Sequence, residues 1–177
     1  ETIRDDASVG CYNKNRPEDV RDEQLHYYLH HPECGLRIAT IRTVVRKGRD
    51  HLIMPLFESD DPRVRHLGLL AIKGMFKGRA LPNDRLKPEM FDYVGKMIED
   101  PNEALWVVQD AMYALSRAKP EVIAKHRDRL IEFVHHDDWF LRRAAISALV
   151  PISTDKEHYK TVLPDIFTTL AAETTAQ

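Results

Sequence analysis

Apolar residues recur three and four positions apart through nearly the whole chain after Pro17, and they do not alternate with polar ones. The clearest run is Met90, Phe91, Val94, Met97 and Ile98, one face of a helix that ends at the Asp100-Pro101 break. Ile123, His126, Leu130, Phe133 and Val134 form a second stripe, and Leu163, Ile166, Phe167 and Leu170 a third. With Gly scarce and no period-two pattern, the chain is expected to be all-α. Breakers at Pro32, Asp60 to Pro62, Asp100-Pro101 and Asp137-Asp138 predict helix boundaries there. Others fall at Gly48 to Asp50, Gly78 to Pro82, Lys119-Pro120 and Ser153 to Asp155, so short loops join the helices.

A repeat runs through this pattern. The segments ECGLRIATIRTV (33–44), DPRVRHLGLLAI (61–72) and DWFLRRAAISAL (138–149) each hold an aliphatic-Arg pair, followed by apolar or small residues two, four and seven positions beyond the Arg. Those residues are Ala39, Ile41, Val44; Leu67, Leu69, Ile72; and Ala144, Ile146, Leu149. A weaker copy, ALWVVQDAMYAL (104–115), keeps Met112, Ala114 and Leu115 but has Val108 in the Arg place. The frame positions 37, 65, 108 and 142 are unevenly spaced, with a mean period of about 35 residues, as in an array of helical hairpins with variable loops.

Asp61, Val64 and Arg65, then Asp138, Leu141, Arg142, Ala144, Ala145 and Ala148, and more loosely Glu33, Leu36, Arg37 and Ala39, make this stretch resemble the HEAT repeats. The short HEAT-like repeats first noted in phycobilisome lyases are included in that likeness. It implies a right-handed α-solenoid of about four to five stacked antiparallel helix pairs, over residues 19–170, between a polar segment at 1–18 and a tail at 171–177. The polar ends are expected to be linkers to further domains. In physical terms, small residues on the second helix of each pair allow close approach. Asp at the turn caps that helix, and the Arg one turn on is expected to reach an acid of its own or an adjacent turn. These acids and arginines are read as scaffold.

Composition narrows the partners. The 26 Lys and Arg against 28 Asp and Glu give a formal charge of −2, so no global cationic field draws the chain to nucleic acid. No apolar run approaches the roughly 20 residues of a membrane span, so a soluble chain without membrane contact is expected. Cys11 and Cys34 are too few for a disulfide framework, though one bridge between them is compatible with the sequence.

Candidate chemistry is sparse. His26 with His30, and His135, His136, Asp137 and Asp138 at a turn, are incomplete as metal sites and are read as surface histidines; no metal or cofactor is expected. Phosphate loops, nucleophile elbows and Cys-x-x-Cys pairs are missing, so enzymatic activity is not expected. Asp110 takes the place held by Leu67 and Ala144 in its siblings, which would put a carboxylate in the helix seam, where it needs a partner. A register shifted by one, with Gln109 in the Arg place, would instead make Asp110 an ordinary exposed acid. Trp106 with Asp110, and Trp139 with Arg142, also resemble the HEAT-like alkylpurine DNA glycosylases, whose Asp and aromatic residues surround a damaged nucleotide. Lacking a basic excess, the chain is read instead as a binding or scaffolding module for another protein or domain. Its candidate surface is Arg42, Arg46, Arg65, Lys73, Trp106, Asp110, Trp139, Arg142 and Arg143, along the row of second helices. Arg37, Arg42, Arg46, Lys47 and Arg49 form the best local site for an acidic partner.

Overall fold

The computed structural model describes residues 20–74, 80–155 and 159–175. The expected polar segment at 1–18, Cys11 and its pairing with Cys34 lie outside them. Among the described residues there are ten α-helices and no strand. The chain divides into two compact units, Glu1–Leu86 and Lys87–Gln177.

In the first unit, α1 (Asp22–Leu29) and α2 (Cys34–Lys47) form one pair, and α3 (Met54–Phe57) and α4 (Pro62–Lys73) the next. A 3-10 turn, Asp50–Leu52, precedes α3, and another, Asn83–Arg85, ends the unit. Helices α1 and α2 pack together, with Leu25 and Leu29 of α1 and Ile41 and Val44 of α2 all buried. Helix α2 stops at Gly48, whose φ of 70° is the left-handed conformation that releases the chain from the helix. The Arg49 N–H then bonds the Val44 carbonyl at 3.0 Å. Pro62 begins α4, where its missing N–H costs nothing, and the Asp61 side chain caps the helix through the Arg63 N–H. Helix α4 packs on both α3 and α2, so the second helices lie against each other. Within its own pair α4 meets α3 closely at Gly68, where an added Cβ would lie 2.6 Å from the Phe57 ring. Arg85 ties the end of the unit to the first pair, donating to Asp50 Oδ2 at 2.7 Å and to the Val45 carbonyl at 2.9 Å.

The second unit repeats the plan with α5 (Pro88–Glu99) and α6 (Leu105–Leu115), then α7 (Pro120–Ala124), α8 (Arg127–Val134), α9 (Trp139–Ser153) and α10 (Tyr159–Thr175). Helix α9 is its hub, packing on α6, α7, α8 and α10. Met90, Phe91, Val94, Met97 and Ile98 are all buried, as the stripe in α5 predicts. The expected boundaries at Pro32, Pro62, Pro101 and Asp138 each fall between helices or at a helix start.

Two stripes differ from expectation. Ile123 to Val134 is not one helix: the chain unwinds at Lys125-His126, where the His126 ring bonds Glu99 Oε1 at 3.0 Å and fills the space a Cβ on Gly95 would take. Both halves still bury their apolar residues. In α10 the inward positions are Val162, Ile166 and Thr169, a face rotated away from Phe167, which is 64% exposed. That helix runs through Thr175, into the segment expected as a tail.

Gly68 generates a stability prediction. Gly68→Ala must displace the buried Phe57 ring and should cost about 1–3 kcal/mol by overpacking, whereas Gly35→Ala, with only Glu33 Oε1 at 4.0 Å, should cost nothing. Thermal unfolding of the two variants followed by circular dichroism checks this, and equal melting temperatures would refute the close approach.

Candidate functional site

The second helices begin at N-caps Glu33, Asp61, Ala104 and Asp138. The residue four past the cap is therefore Arg37, Arg65, Val108 or Arg142, which fixes the repeat register and excludes the frame with Gln109 in the Arg place. All three arginines do the same thing. Arg37 Nη1 donates to the carbonyls of His31 (2.7 Å) and Pro32 (2.8 Å), and Arg142 Nη1 to those of His136 (2.8 Å) and Asp137 (2.7 Å). Arg65 Nη1 donates to the Ser59 carbonyl at 2.7 Å. In each case the guanidinium folds back over the turn between the two helices of its pair and bonds carbonyls five or six residues upstream. Such charge-assisted bonds are stronger than neutral ones.

To the expected contact with a turn acid these arginines thus add bonds to the backbone of the turn. Asp61 holds Arg63, with Arg63 Nη2 at 2.8 Å from its Oδ2, while its Oδ1 accepts the Arg63 N–H at 2.8 Å. These bonds hold the Asp61 carboxyl below its usual range against the opposing effect of burial, and the charge of Arg37 adds to the lowering. Asp138 caps α9 through the Phe140 N–H at 2.7 Å, as expected, whereas Glu33 makes no side-chain cap.

The candidate surface residues fall into three groups. Arg42 and Arg46 are exposed one turn apart on α2, and Arg143 is exposed on α9. Lys73, Arg65 and Arg142 are half-buried, the last two in their turns. Asp110 is buried at 9% exposure, in the seam as its repeat position predicts. The basic stretch on α2 separates: Arg37 belongs to its turn and Arg49 pairs with Asp22 at 3.0 Å, leaving Arg42 and Arg46 outward.

Trp106, the second residue of α6, and Trp139, the first of α9, are respectively 44% and 47% exposed. Their neighbours Leu105 and Phe140, which sequence reasoning passed over, are exposed to 53% and 50%. The Trp139 and Phe140 rings lie 4.3 Å apart, and the Arg143 guanidinium sits 5.9 Å from the Trp139 ring centre. These side chains lie beside the capped turns, where the buried stripe of each helix has not yet begun.

The histidines act singly. His30 Nδ1 donates to the His26 carbonyl at 2.9 Å, His136 Nδ1 accepts the Asp138 N–H at 3.0 Å, and His135 Nε2 lies 3.6 Å from Asp165. Among the described residues, no three His, Cys, Asp or Glu side chains come together as a metal site. Cys34 is exposed at the start of α2.

A pocket of about 240 Å³ opens in the second unit beside Val108. Asp100, Pro101 and Glu103 from the α5–α6 turn form one side, and Arg129, Phe133 and His136 the other. Arg129 Nη1 bonds Glu132 Oε2 at 2.5 Å, its Nε donates to the Ile98 carbonyl at 3.3 Å, and its guanidinium lies 4.6 Å from the Phe133 ring centre. Sequence reasoning missed this pocket, although Val108 in the Arg place was its signal.

No protein-family model matches the chain, and no curated protein matches it either. Among the described residues, no helix is long and apolar enough to cross a membrane.

Two predictions follow from the turns. Arg142→Met removes the donor to two carbonyls and should lower stability by about 1–3 kcal/mol; Arg142→Lys should recover only part, since an ammonium lacks the planar fork. Both are read by thermal unfolding, and an unchanged melting temperature in Arg142→Met would exclude the clamp. The Asp61 carboxyl is more acidic in the folded chain, so its stabilisation is present above the unfolded pKa of about 3.9 and is lost as pH falls through the lower folded value. Unfolding between pH 6 and pH 2 should therefore show a smaller acid-induced loss in Asp61→Asn, which keeps a capping oxygen without the charge.

Proposed function

We propose that this chain is a non-catalytic recognition module of the HEAT-repeat kind, a right-handed α-solenoid whose second helices present a surface to another protein. The packing of α2 on α4 and of α6 on α9 supports the solenoid, since stacked pairs bury their seam through neighbouring second helices. One observation carries the recognition role: Leu105, Trp106, Trp139 and Phe140 stay exposed at the starts of α6 and α9 while the helices they begin are otherwise well buried. Large apolar side chains left outside a filled core mark contact surfaces, and Trp and Tyr dominate such contacts energetically.

The rival reading, a nucleic-acid enzyme resembling the alkylpurine DNA glycosylases, needs Asp110 open to a flipped nucleotide beside Trp106. Asp110 is 9% exposed, which favours a structural carboxylate. Acids also outnumber bases from Lys87 to Gln177, the unit that holds both tryptophans, and this disfavours phosphate binding.

Two measurements test the proposal. Peptides selected from a displayed library against the purified chain should bind saturably, and Trp106→Ala with Trp139→Ala should weaken them by at least about tenfold if these are anchors. Wild type and Asp110→Asn should both fail to excise bases from alkylated duplex DNA, and the variant should melt lower, by about 1–3 kcal/mol. Excision by wild type that vanishes in Asp110→Asn would replace the module with the enzyme.

A further inference from the structure

We infer that the outward ridge of α2 binds an acidic segment of the partner protein, two carboxylates meeting Arg42 and Arg46 and an apolar side chain meeting Ile38. This rests on the recognition reading and gives its partner a chemistry. Most of α2 is buried, and what it leaves outside lies four residues apart along one line: Cys34, Arg42 and Arg46 are exposed and Ile38 is half-buried. The repeat does not itself ask for a cation there. Counted from the N-caps of the second helices, the place of Arg42 is held by Leu70 in α4, Tyr113 in α6 and Ser147 in α9.

Among the described residues, no acid is set against these two guanidiniums. Helix α2 contains no Asp or Glu. On the elements that pack against it, Asp22 of α1 holds Arg49 at 3.0 Å and His51 at 2.7 Å, Asp50 of the 3-10 turn holds Arg85 at 2.7 Å, and α4 contributes no acid. Glu23 of α1 forms no ion pair with either arginine, and neither arginine has another ionic partner among the described residues. Like charges one turn apart repel, and the helix dipole favours cations only in the last turn, where Arg46 and Lys47 lie and Arg42 does not. Neither the dipole nor an internal ion pair therefore accounts for Arg42. Spacing defines the occupant: ridge side chains start about 6 Å apart, which matches residues one turn apart on a partner helix or alternate residues of an extended strand. Two Asp or Glu at either spacing meet both guanidiniums, each able to take a planar fork of N–H groups. An apolar side chain one step further covers Ile38. Duplex DNA fits less well, because its binders make roughly 6–10 phosphate contacts, whereas this ridge supplies two cations and continues into Ile38 and Cys34.

Titrating the full chain, labelled with nitrogen-15, with a helical peptide that carries one leucine and two glutamates at successive four-residue steps on one face tests this. The expected result is a saturable shift of the Ile38, Arg42 and Arg46 amide resonances and of the two arginine Nε–H signals. The same peptide with glutamine in place of glutamate should bind at least about threefold more weakly, as expected for the loss of two solvent-exposed ion pairs. Arg42→Glu combined with Arg46→Glu should keep the helical spectrum, lose the glutamate peptide and gain affinity for a lysine version that the wild type does not bind. Should that variant fail to fold, Arg42→Gln with Arg46→Gln removes both charges without reversing them and should weaken the glutamate peptide to the level of the glutamine one. Absence of a saturable shift, equal binding of the glutamine peptide, or undiminished glutamate-peptide binding in the folded double variant would each overturn the inference. A short DNA duplex that moves the same resonances at lower concentration than the peptide would overturn it in favour of nucleic acid. Selected peptides that still bind through Trp106 and Trp139 after such a failure would leave the recognition module standing without this site; loss of both would remove both.

Discussion

The turn between the two helices of a pair sets two opposed sets of groups side by side: carbonyls of the turn itself and N–H groups at the start of the second helix. Arginine four residues past the cap is long enough to fold back and bond the carbonyls, while aspartate at the cap takes the N–H groups. Arg142 with Asp138 does both for the α8–α9 turn, and Arg65 with Asp61 for the α3–α4 turn. Each helix start is thereby fastened to the helix before it by bonds to backbone, which no change of neighbouring side chains disturbs. The packing of α4 on α3 and of α9 on α8 is built on that fastening.

Once the turns are fixed, the second helices can approach closely along their length. Ala144, Ala145 and Ala148 are wholly buried on α9, the helix with the most neighbours, and within its own pair Gly68 of α4 meets the Phe57 ring of α3 with no room for a Cβ. Small residues in the middle of a helix leave the large ones to its ends. Trp106 and Trp139 sit where the chain has just left the turn, so their rings project past the packed seam. The same spacing that closes the core therefore produces the exposed aromatic positions.

Much of the fold was legible because helical periodicity and capping chemistry are local. The α5 stripe, the breaks at Pro32, Pro62, Pro101 and Asp138, and the equivalence of Arg37, Arg65 and Arg142 all follow from residues within one or two turns of each other. Two features that depend on distant groups were not legible. The break at His126 is set by Glu99 and Gly95 of another helix, and the face of α10 that turns inward is set by α8 and α9, leaving Phe167 outside. The carbonyl bonds of Arg37, Arg65 and Arg142 were not foreseen, because charge pairs are visible in a sequence and backbone carbonyls are not. At the candidate surface, Trp106 and Trp139 were found as aromatic side chains at helix starts, but Leu105 and Phe140 resemble core residues in any window.

Val108 marks the turn in which the residue four past the helix start is not an arginine. A β-branched hydrocarbon in the clamp position fits the stripe of α6 and is 2% exposed, so the core accepts the replacement. The turn loses its internal guanidinium, and the chain compensates from the next pair: Arg129 of α8 reaches the Ile98 carbonyl and is balanced by Glu132. The pocket opens beside Val108 at this turn, with Asp100 and Glu103 among its lining residues. In a regular array every turn would be closed in the same way and present the same surface. Dropping the clamp at one turn makes it chemically different from the other three.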